Sequence, residues 1–141
     1  MTPGSTCRPT AGIAVDGAHS TRRGLTRYRG VDLATGAVLF EQAVGNRTAG
    51  VGEFLGVVAA VRYIFDHGFT PAVIYTDSTT ALSWYRSARA VTRRRCAAVL
   101  CAEVFLRVMA APLAPIRVCH WDTRRWGEIP ADFGEKYTKR P

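Results

Sequence analysis

Two acidic residues of this chain each follow a short apolar run, a pattern that places carboxylates in a cleft. Asp16 follows residues 12–15, and Asp77 follows residues 72–76. Runs of this length, bounded by turn residues, suit strands that are buried on both faces. An acid at the end of such a strand lies at a sheet edge, where open α/β sheets commonly bind their ligands. We therefore predict that Asp16 and Asp77 belong to a functional site.

Two further acids lie beside predicted helices. Over residues 51–67 the apolar residues recur with a helical period, and Gly68 is the predicted helix end. Glu53 falls in the predicted first turn at the edge of the apolar stripe, so its side chain would point toward the sheet. Pro130 can occupy the first turn of a short helix, which would put Asp132 near the start of that helix.

Each acid also has a purely structural explanation. Asp16 opens an Asp-Gly dipeptide, which is common in turns. Asp77 could merely initiate a helix for which Ser78 is the predicted N-cap. Glu53 could merely complement the helix dipole, a contribution of about 0.3–1 kcal/mol. The residues alone leave these alternatives open.

The rest of the pattern predicts the elements that would position these acids. Residues 25–32 and 37–44 alternate apolar with polar side chains around a turn, so they extend the first strand into an antiparallel meander. Residues 92–110 form a predicted long helix that prolines close, and residues 116–121 form a last strand. The predicted order of elements is β-β-β-α-β-α-α-β-α.

Composition predicts a single basic domain. The chain has 141 residues, a net charge of +8 and a pI near 9.9, so a polyanion is the first partner to consider. We predict that residues 1–10 form a flexible tail and that residues 11–141 form the domain. The spacing of the four cysteines indicates neither a zinc site nor a disulfide framework. Because no segment predicts a membrane span or a signal peptide, we expect a cytoplasmic location and no membrane partner.

An arginine cluster, Arg93, Arg94 and Arg95, begins the predicted long helix. Cations at a helix N-terminus oppose the helix dipole, so the cluster is a slight liability for the fold. A phosphate backbone as ligand would explain it, although a solvated basic face is the more frequent cause of such runs.

Four motifs in order resemble type 1 ribonuclease H over nearly the whole chain beyond the tail. They are Ala14-Val15-Asp16-Gly17, Gly52-Glu53-Phe54-Leu55, Tyr75-Thr76-Asp77-Ser78, and the segment from Gly127 through Ala131-Asp132. Within that family the ending Trp-Gly-Glu-Ile-Pro-Ala-Asp-Phe-Gly, residues 126–134, is similar to a bacterial ribonuclease HI subgroup. Each motif alone is weak evidence, whereas four in the right order and spacing are strong.

The resemblance implies an α/β fold with a mixed five-stranded sheet of order 3-2-1-4-5 flanked by helices. It also implies that Asp16, Glu53, Asp77 and Asp132 meet as the catalytic, metal-binding residues. Carboxylate oxygens suit Mg²⁺, with Mn²⁺ as a substitute. The family's reaction hydrolyses the RNA strand of an RNA/DNA hybrid with two metal ions, leaving a 5′-phosphate and a 3′-hydroxyl. By analogy Asp16 would bridge both ions, with Asp77 and Glu53 on one and Asp132 on the other.

The same resemblance implies contacts to the nucleic acid. The predicted contact residues are Gly17, Thr48, Ser78, Trp84, Arg93, Arg94 and Arg95. Trp84 could equally be a plain core tryptophan. Where the family usually has two asparagines before the glutamate, this chain has Ala49 and Gly50, so contacts to the minor groove there would come from the backbone.

A mobile histidine that many family members carry is also replaced, because Asp122 occupies the corresponding position. Either Asp122 or Glu128 would assist product release, or that auxiliary function is absent. His120 is predicted to lie in the last strand, and His19 has no catalytic part. Besides a monomeric ribonuclease H without an obligatory protein partner, the sequence admits a non-catalytic hybrid-binding module and a nuclease that prefers DNA.

Overall fold

The computed structural model describes residues 7–133. The predicted tail lies partly outside this range, as does Gly134 of the last motif, and residues 7–10 form neither helix nor strand. The strands are β1 (Ile13–Ser20), β2 (Leu25–Asp32), β3 (Val38–Ala43), β4 (Val73–Thr76) and β5 (Arg117–His120). The helices are α1 (Ala49–His67), α2 (Thr79–Ser87), α3 (Ala97–Val108), α4 (Ala110–Leu113) and α5 (Thr123–Trp126).

The five strands form one mixed sheet in the order β3-β2-β1-β4-β5, as the resemblance implied. β1, β2 and β3 are an antiparallel meander, whereas β4 and β5 run parallel to β1. The helical segment between β4 and β5 provides the crossover that parallel neighbours require. The predicted meander and the predicted last strand are therefore confirmed.

Asp16 does not end its strand, because β1 continues to Ser20. What ends beside Asp16 is the pairing with β4, whose last partners are Val15 and Thr76. Beyond that point β1 pairs with β2 alone among the described strands. Asp16 is the next residue of β1 and Asp77 directly follows the end of β4, so the parallel register brings the two acids to the same edge. The expected end of β1 was wrong, but the predicted sheet-edge position of the acids is confirmed.

The sheet separates two apolar clusters. On one face α1 packs against β1 and β4, and the buried residues include Ile13, Val15, Phe54 and Ile74. The opposite cluster consists of Ala14, Val31, Trp121, Ile129 and Ala131. Trp121 is fully buried there, and its Nε1 donates a hydrogen bond to the Gly127 carbonyl at 2.9 Å. This second cluster therefore fixes the segment that leads to Asp132.

α1 begins at Ala49, two residues before the predicted start. The reason is Thr48, whose Oγ1 accepts a hydrogen bond from the Val51 N–H at 3.2 Å and caps the helix. Glu53 consequently lies in the second turn rather than the first. The helix dipole acts mainly on the first turn, so it explains less of this glutamate than the sequence suggested. Gly68 ends the helix with φ +63°, as predicted.

Two predicted helical segments are corrected. The helix expected over residues 92–110 begins only at Ala97, so the three arginines lie in the preceding loop. Pro112 does not close a helix but lies inside the short α4. No helix follows Pro130 within residues 7–133; instead the Asp132 N–H donates to the Ile129 carbonyl at 2.9 Å in a turn. None of the helices in the described part of the chain combines the length and the apolar character needed to cross a bilayer.

Candidate metal centre

Three acidic side chains converge at the edge of the sheet where the β1–β4 pairing ends. Each of Asp16, Glu53 and Asp77 offers a carboxylate oxygen, and these oxygens all lie within 4.8 Å of one another. Asp16 is only 2% exposed, whereas Glu53 and Asp77 are half-buried. The cluster therefore has a buried side at β1 and an accessible side toward solvent.

Glycines allow α1 to approach β1 closely enough to deliver Glu53. A β-carbon added at Gly17 would lie 2.7 Å from the Glu53 backbone nitrogen. A β-carbon at Gly56 would lie 2.7 Å from Val15 Cγ1, and one at Gly52 would lie 2.6 Å from Thr26 Cγ2. Any side chain at these positions would push the helix off the sheet. Glu53 thus reaches the two aspartates because glycines at the contact let α1 pack closely against the sheet.

The donor set fits a hard divalent cation. At about 4 Å, two carboxylates repel each other by about 4 kcal/mol at an effective dielectric constant near 20. A bound cation would remove this cost. Ligands of an octahedral Mg²⁺ lie 2.0–2.1 Å from the ion, so ligand oxygens are separated by about 3–4 Å. The separations within 4.8 Å in this cluster need only small side-chain rotations to reach that range. Oxygen donors alone favour Mg²⁺ or Mn²⁺ over zinc.

Asp132, the fourth predicted ligand, is not in the group of acids that lie within 4.8 Å of one another in residues 7–133. Its position is set by Arg29, whose Nε donates to the Ala131 carbonyl at 2.8 Å and whose Nη2 donates to the Asp132 carbonyl at 2.6 Å. Arg29 is also the residue opposite Asp16 across the β1–β2 pair. Directly opposed residues share a sheet face, so Arg29 connects the segment of Asp132 to the side of the sheet on which Asp16 lies.

Arg29 was missed by the sequence reasoning. It lies in the middle of a strand that was predicted to be half-exposed, where an arginine is unremarkable. The Arg29 guanidinium also stacks on the Phe133 ring at 4.6 Å, and Arg27 stacks on that ring at the same distance. The structure thus places the Phe133 ring under two guanidinium groups. Only the contact between residues that are distant in sequence shows the role of Arg29.

Several of the predicted nucleic-acid contact residues also cap helices or pack against the core. Thr48 caps α1, and Ser78 caps α2 by accepting a hydrogen bond from the Ala81 N–H at 3.0 Å. Trp84 is half-buried, with its ring centroid 5.9 Å from that of Phe54 in an edge-on arrangement. A β-carbon at Gly50 would touch the Trp84 ring at 3.5 Å, so the tryptophan lies beside the start of α1. It is a partly exposed cover residue that borders the site.

The three arginines differ from one another. Arg93 and Arg94 are exposed, and Arg94 Nη2 donates to the Asn46 carbonyl at 3.3 Å. Arg95 instead forms a two-pronged ion pair with the buried Glu103, with N–O distances of 2.5 and 3.0 Å. Hydrogen bonds from Arg95 lower the pKa of the Glu103 carboxyl, against the opposing effect of burial. Arg95 therefore fastens the loop to α3, and Arg93 and Arg94 are the more available cations.

The remaining predicted residues lie in the segment after β5. Asp122 caps α5 by accepting hydrogen bonds from the Arg124 and Arg125 N–H groups, and Glu128 is exposed beyond this helix. His120 is in β5, as predicted, and is exposed. His19 Nδ1 lies 2.9 Å from Thr26 Oγ1, which is a structural contact. No disulfide forms among the cysteines, all four of which lie in the described residues.

No protein-family model matches the chain. Among solved structures, it is similar to the N-terminal RNase H domain of a Mycobacterium tuberculosis protein, solved as a fusion with maltose-binding protein. The sequence identity is 21% and the TM-score 0.50, over 78% of this chain and 79% of the other. The fold is the ribonuclease H fold.

Two further similar structures have lower TM-scores. The RNase H1 of the halophilic archaeon Halobacterium salinarum has 19% identity and a TM-score of 0.45, with 77% of this chain and 80% of that chain covered. LC11-RNase H1, isolated from compost by a metagenomic approach and solved in complex with an RNA/DNA hybrid, has 16% identity and a TM-score of 0.47. That alignment covers 77% of this chain and 82% of the other.

Proposed function

We propose that this chain is a type 1 ribonuclease H, a metal-dependent endonuclease that hydrolyses the RNA strand of RNA/DNA hybrids. The observation that carries the proposal is the convergence of Asp16, Glu53 and Asp77 on the central strands of a ribonuclease H fold. A fold alone does not define an activity, but acids at the positions that match the family motifs do support one. The activity is assigned to residues 11–141 of a monomer.

Asp16, Glu53 and Asp77 would hold Mg²⁺, or Mn²⁺ in its place, and Asp132 would complete the site for a second ion. Two such ions supply electrostatic stabilisation to the attacking and the leaving oxygen of a phosphodiester displacement. The water oxygen would add to phosphorus and lose a proton to solvent, while the bond from phosphorus to O3′ breaks and O3′ takes up a proton. The products are a 5′-phosphate and a 3′-hydroxyl.

The chain contributes geometry to this reaction. Asp16 is held rigidly by strand pairing on a buried surface, so its carboxylate is positioned before any ligand arrives. Glu53 is fixed by the close contact between α1 and Gly17. Arg29 holds the main chain of Asp132, so that this carboxylate can complete the site from the C-terminal segment. Positioning of this kind is the main protein contribution in phosphoryl-transfer sites.

Substrate selection is assigned to groups around the metal centre. The 2′-hydroxyls distinguish RNA from DNA, and the backbone at Ala49 and Gly50 would contact them in the minor groove. Thr48 and Ser78 have helix-capping hydroxyls whose remaining hydrogen-bonding capacity would serve the nucleic acid. Trp84, Arg93 and Arg94 would grip the DNA strand by stacking and by charge neutralisation.

A cleavage assay with labelled strands tests the proposal. The substrates are an RNA/DNA hybrid, single-stranded RNA, duplex RNA and duplex DNA, each with Mg²⁺, Mn²⁺ or a chelator. We expect metal-dependent cutting of the hybrid's RNA strand alone, and loss of cutting in Asp77→Asn with an unchanged circular dichroism spectrum. Normal cutting by Asp77→Asn would exclude this metal centre. Tight hybrid binding without cutting under any metal would instead identify a binding module.

A further inference from the structure

A surface groove lies beside the helix that follows Asp77. Its volume is about 510 Å³, and it lies where α2 packs against β5. The groove is lined by Thr79, Leu82, Ser83, Arg86, Ser87 and His120. Leu82 is buried and forms the floor, whereas the five polar residues are exposed. The groove thus combines an apolar base with hydroxyl, imidazole and guanidinium groups at its walls.

The lining residues come together through helical spacing. Thr79, Ser83 and Arg86 are separated by four and three residues on α2, so they share one face of the helix. β5 brings His120 beside this face, and His120 is paired in register with Thr76 of β4. Asp77 directly follows Thr76 in the sequence. The groove therefore lies next to the strand end that Asp77 follows, although none of the three acids lines it.

Four of these side chains have unused hydrogen-bonding capacity. Within residues 7–133 no hydrogen bond or ion pair involves the side chains of Thr79, Ser83, Arg86 or His120. Two other arginines of the described chain are engaged, Arg95 with Glu103 and Arg29 with the carbonyls near its guanidinium. Asp122 lies two residues from His120, but its charge is offset by Arg125 at 3.4 Å. The groove presents donors and a fixed positive charge.

We propose that this groove binds a backbone phosphate of the nucleic acid next to the phosphate that is cleaved. Arg86 would supply the charge, the hydroxyls of Thr79 and Ser83 would donate to the phosphate oxygens, and His120 would close the groove from β5. A phosphate is the ligand whose several acceptor oxygens match such a set of donors. The inference rests on the proposed function for its substrate, and it assigns a contact to the α2 face that carries Thr79 and Ser83, whereas Trp84 lies beside the start of α1.

The simpler explanation for Arg86 is that it complements the dipole in the last turn of α2. That role would affect the stability of the protein but not its affinity for a hybrid. The test is therefore a binding measurement in chelator, by fluorescence anisotropy, with the unfolding midpoint of every variant recorded. The control is Arg62→Gln, which removes an exposed arginine of α1 that is paired with Asp66.

For Arg86→Gln we expect the affinity for the hybrid to fall about 5- to 10-fold and the salt dependence to lose about one phosphate contact. Thr79→Ala combined with Ser83→Ala should weaken binding in the same direction, while Arg62→Gln should not. Equal affinity and equal salt dependence for Arg86→Gln and the unsubstituted protein would overturn the proposal.

Hybrids with a single neutral methylphosphonate linkage locate the contact. A methylphosphonate at one position near the cleavage site should lower the affinity of the unsubstituted protein. It should not lower the affinity of Arg86→Gln further, because both changes remove the same interaction. If the losses of affinity from the methylphosphonate and from Arg86→Gln were additive at every position, the proposed phosphate contact would be contradicted. A separate experiment measures the thermal shift caused by inorganic phosphate. If this shift depended on Arg86 while hybrid binding did not, the groove would bind free phosphate and not a phosphate of the nucleic acid.

The outcomes separate this inference from the proposed activity. Arg86-dependent hybrid binding by a protein that never cuts would support the groove and reject the ribonuclease. Cutting of the hybrid with binding that is indifferent to Arg86 would support the ribonuclease and reject the groove.

Discussion

Gly17 and Glu53 are in contact so close that a β-carbon on the glycine would lie 2.7 Å from the glutamate's backbone nitrogen. The helix cannot move away locally, because Gly52 and Gly56 bring the same stretch of α1 onto β1 and β2. The location of the Glu53 carboxylate thus depends on the absence of a side chain at Gly17 on a neighbouring strand. This relationship supplies the first prediction.

Gly17→Ala should displace Glu53 from the two aspartates. A misplacement near 1 Å can cost about 100-fold in rate, so we expect hybrid cleavage to fall by about 10- to 100-fold. The clash should also lower the free energy of unfolding by about 1–3 kcal/mol. The measurements are single-turnover cleavage and urea denaturation.

Gly50→Ala is the matched control for adding a methyl group in this region. Its β-carbon would meet the Trp84 ring at an ordinary 3.5 Å, so the helix should become more stable by about 0.5–1 kcal/mol. Equal cleavage rates for Gly17→Ala and the unsubstituted protein would show that the approach of α1 to β1 does not position Glu53.

Mg²⁺ should stabilise the folded protein through the acidic cluster. Since the ion would bind the assembled carboxylates and not the unfolded chain, the unfolding midpoint should rise with Mg²⁺ concentration. Asp16→Asn should abolish this rise, and in chelator it should unfold no more easily than the unsubstituted protein because it removes one of three mutually repelling charges. Differential scanning fluorimetry measures both effects. A rise of the same size in Asp16→Asn would place the bound Mg²⁺ elsewhere.

Arg29→Lys should uncouple the C-terminal segment from the sheet. A lysine cannot donate to the Ala131 and Asp132 carbonyls together with the planar geometry of a guanidinium. Loss of a positioning contact of this kind typically costs about 10- to 100-fold in activity. Hydrogen exchange should show faster exchange at residues 129–133.

Glu41→Gln distinguishes the ion pair of Arg29 from its hydrogen bonds to the Ala131 and Asp132 carbonyls. Glu41 lies 4.0 Å from Arg29 in an ion pair that is partly exposed, so its removal should change activity little. If Glu41→Gln lost as much activity as Arg29→Lys, the ion pair rather than the two carbonyl contacts would be the important interaction.

The Arg95–Glu103 pair should make stability depend on pH. The Glu103 carboxyl accepts hydrogen bonds from Arg95 and from the Ala90 N–H, and its pKa in the folded protein is below the model-compound value of 4.5. A lowered folded pKa means that the stabilisation is fully present above pH 4.5 and is lost as the pH falls through the folded pKa.

Glu103→Gln is the variant that measures this effect. Its free energy of unfolding should be about 1–3 kcal/mol lower than that of the unsubstituted protein at pH 7, and the difference should shrink as the pH falls below 4.5. Asp66→Asn, which breaks an exposed pair with Arg62, should show little difference at either pH. A Glu103→Gln difference that stayed constant with pH would contradict the assignment.

The sequence predicted the sheet well because its strands carry strong local signals. Asp16 and Asp77 follow β-branched runs, and the antiparallel strands alternate in polarity, so both the strand order and the edge position of the acids could be inferred with the family resemblance. The same local reading placed Asp16 at a strand end, since the residues Gly17–Ser20 contain turn-forming types. Their pairing with β2, which depends on residues 25–28, overrides that preference.

Specific side-chain contacts were beyond prediction from the sequence. Arg95 looked like one of three equivalent arginines, and only its contact with Glu103 on α3 distinguishes it. Asp132 was expected at the start of a helix, whereas Arg29 and the buried Trp121 hold its segment in a turn. The partner of Arg95 is on the next helix and the partner of the Asp132 main chain is on a distant strand, and periodicity carries no information about either contact.

The proximity of three carboxylates in a chain of net charge +8 has a consequence for the order of binding. A polyanion attracted to the basic surface meets a local negative charge at the place where it would be cut. A divalent cation in the cluster would turn that repulsion into attraction, and a bound phosphate would in turn retain the cation. Because linkage is reciprocal, each ligand must raise the affinity for the other by the same factor. The cation and the nucleic acid would therefore act as mutual effectors, and the affinity for either would depend on the concentration of the other.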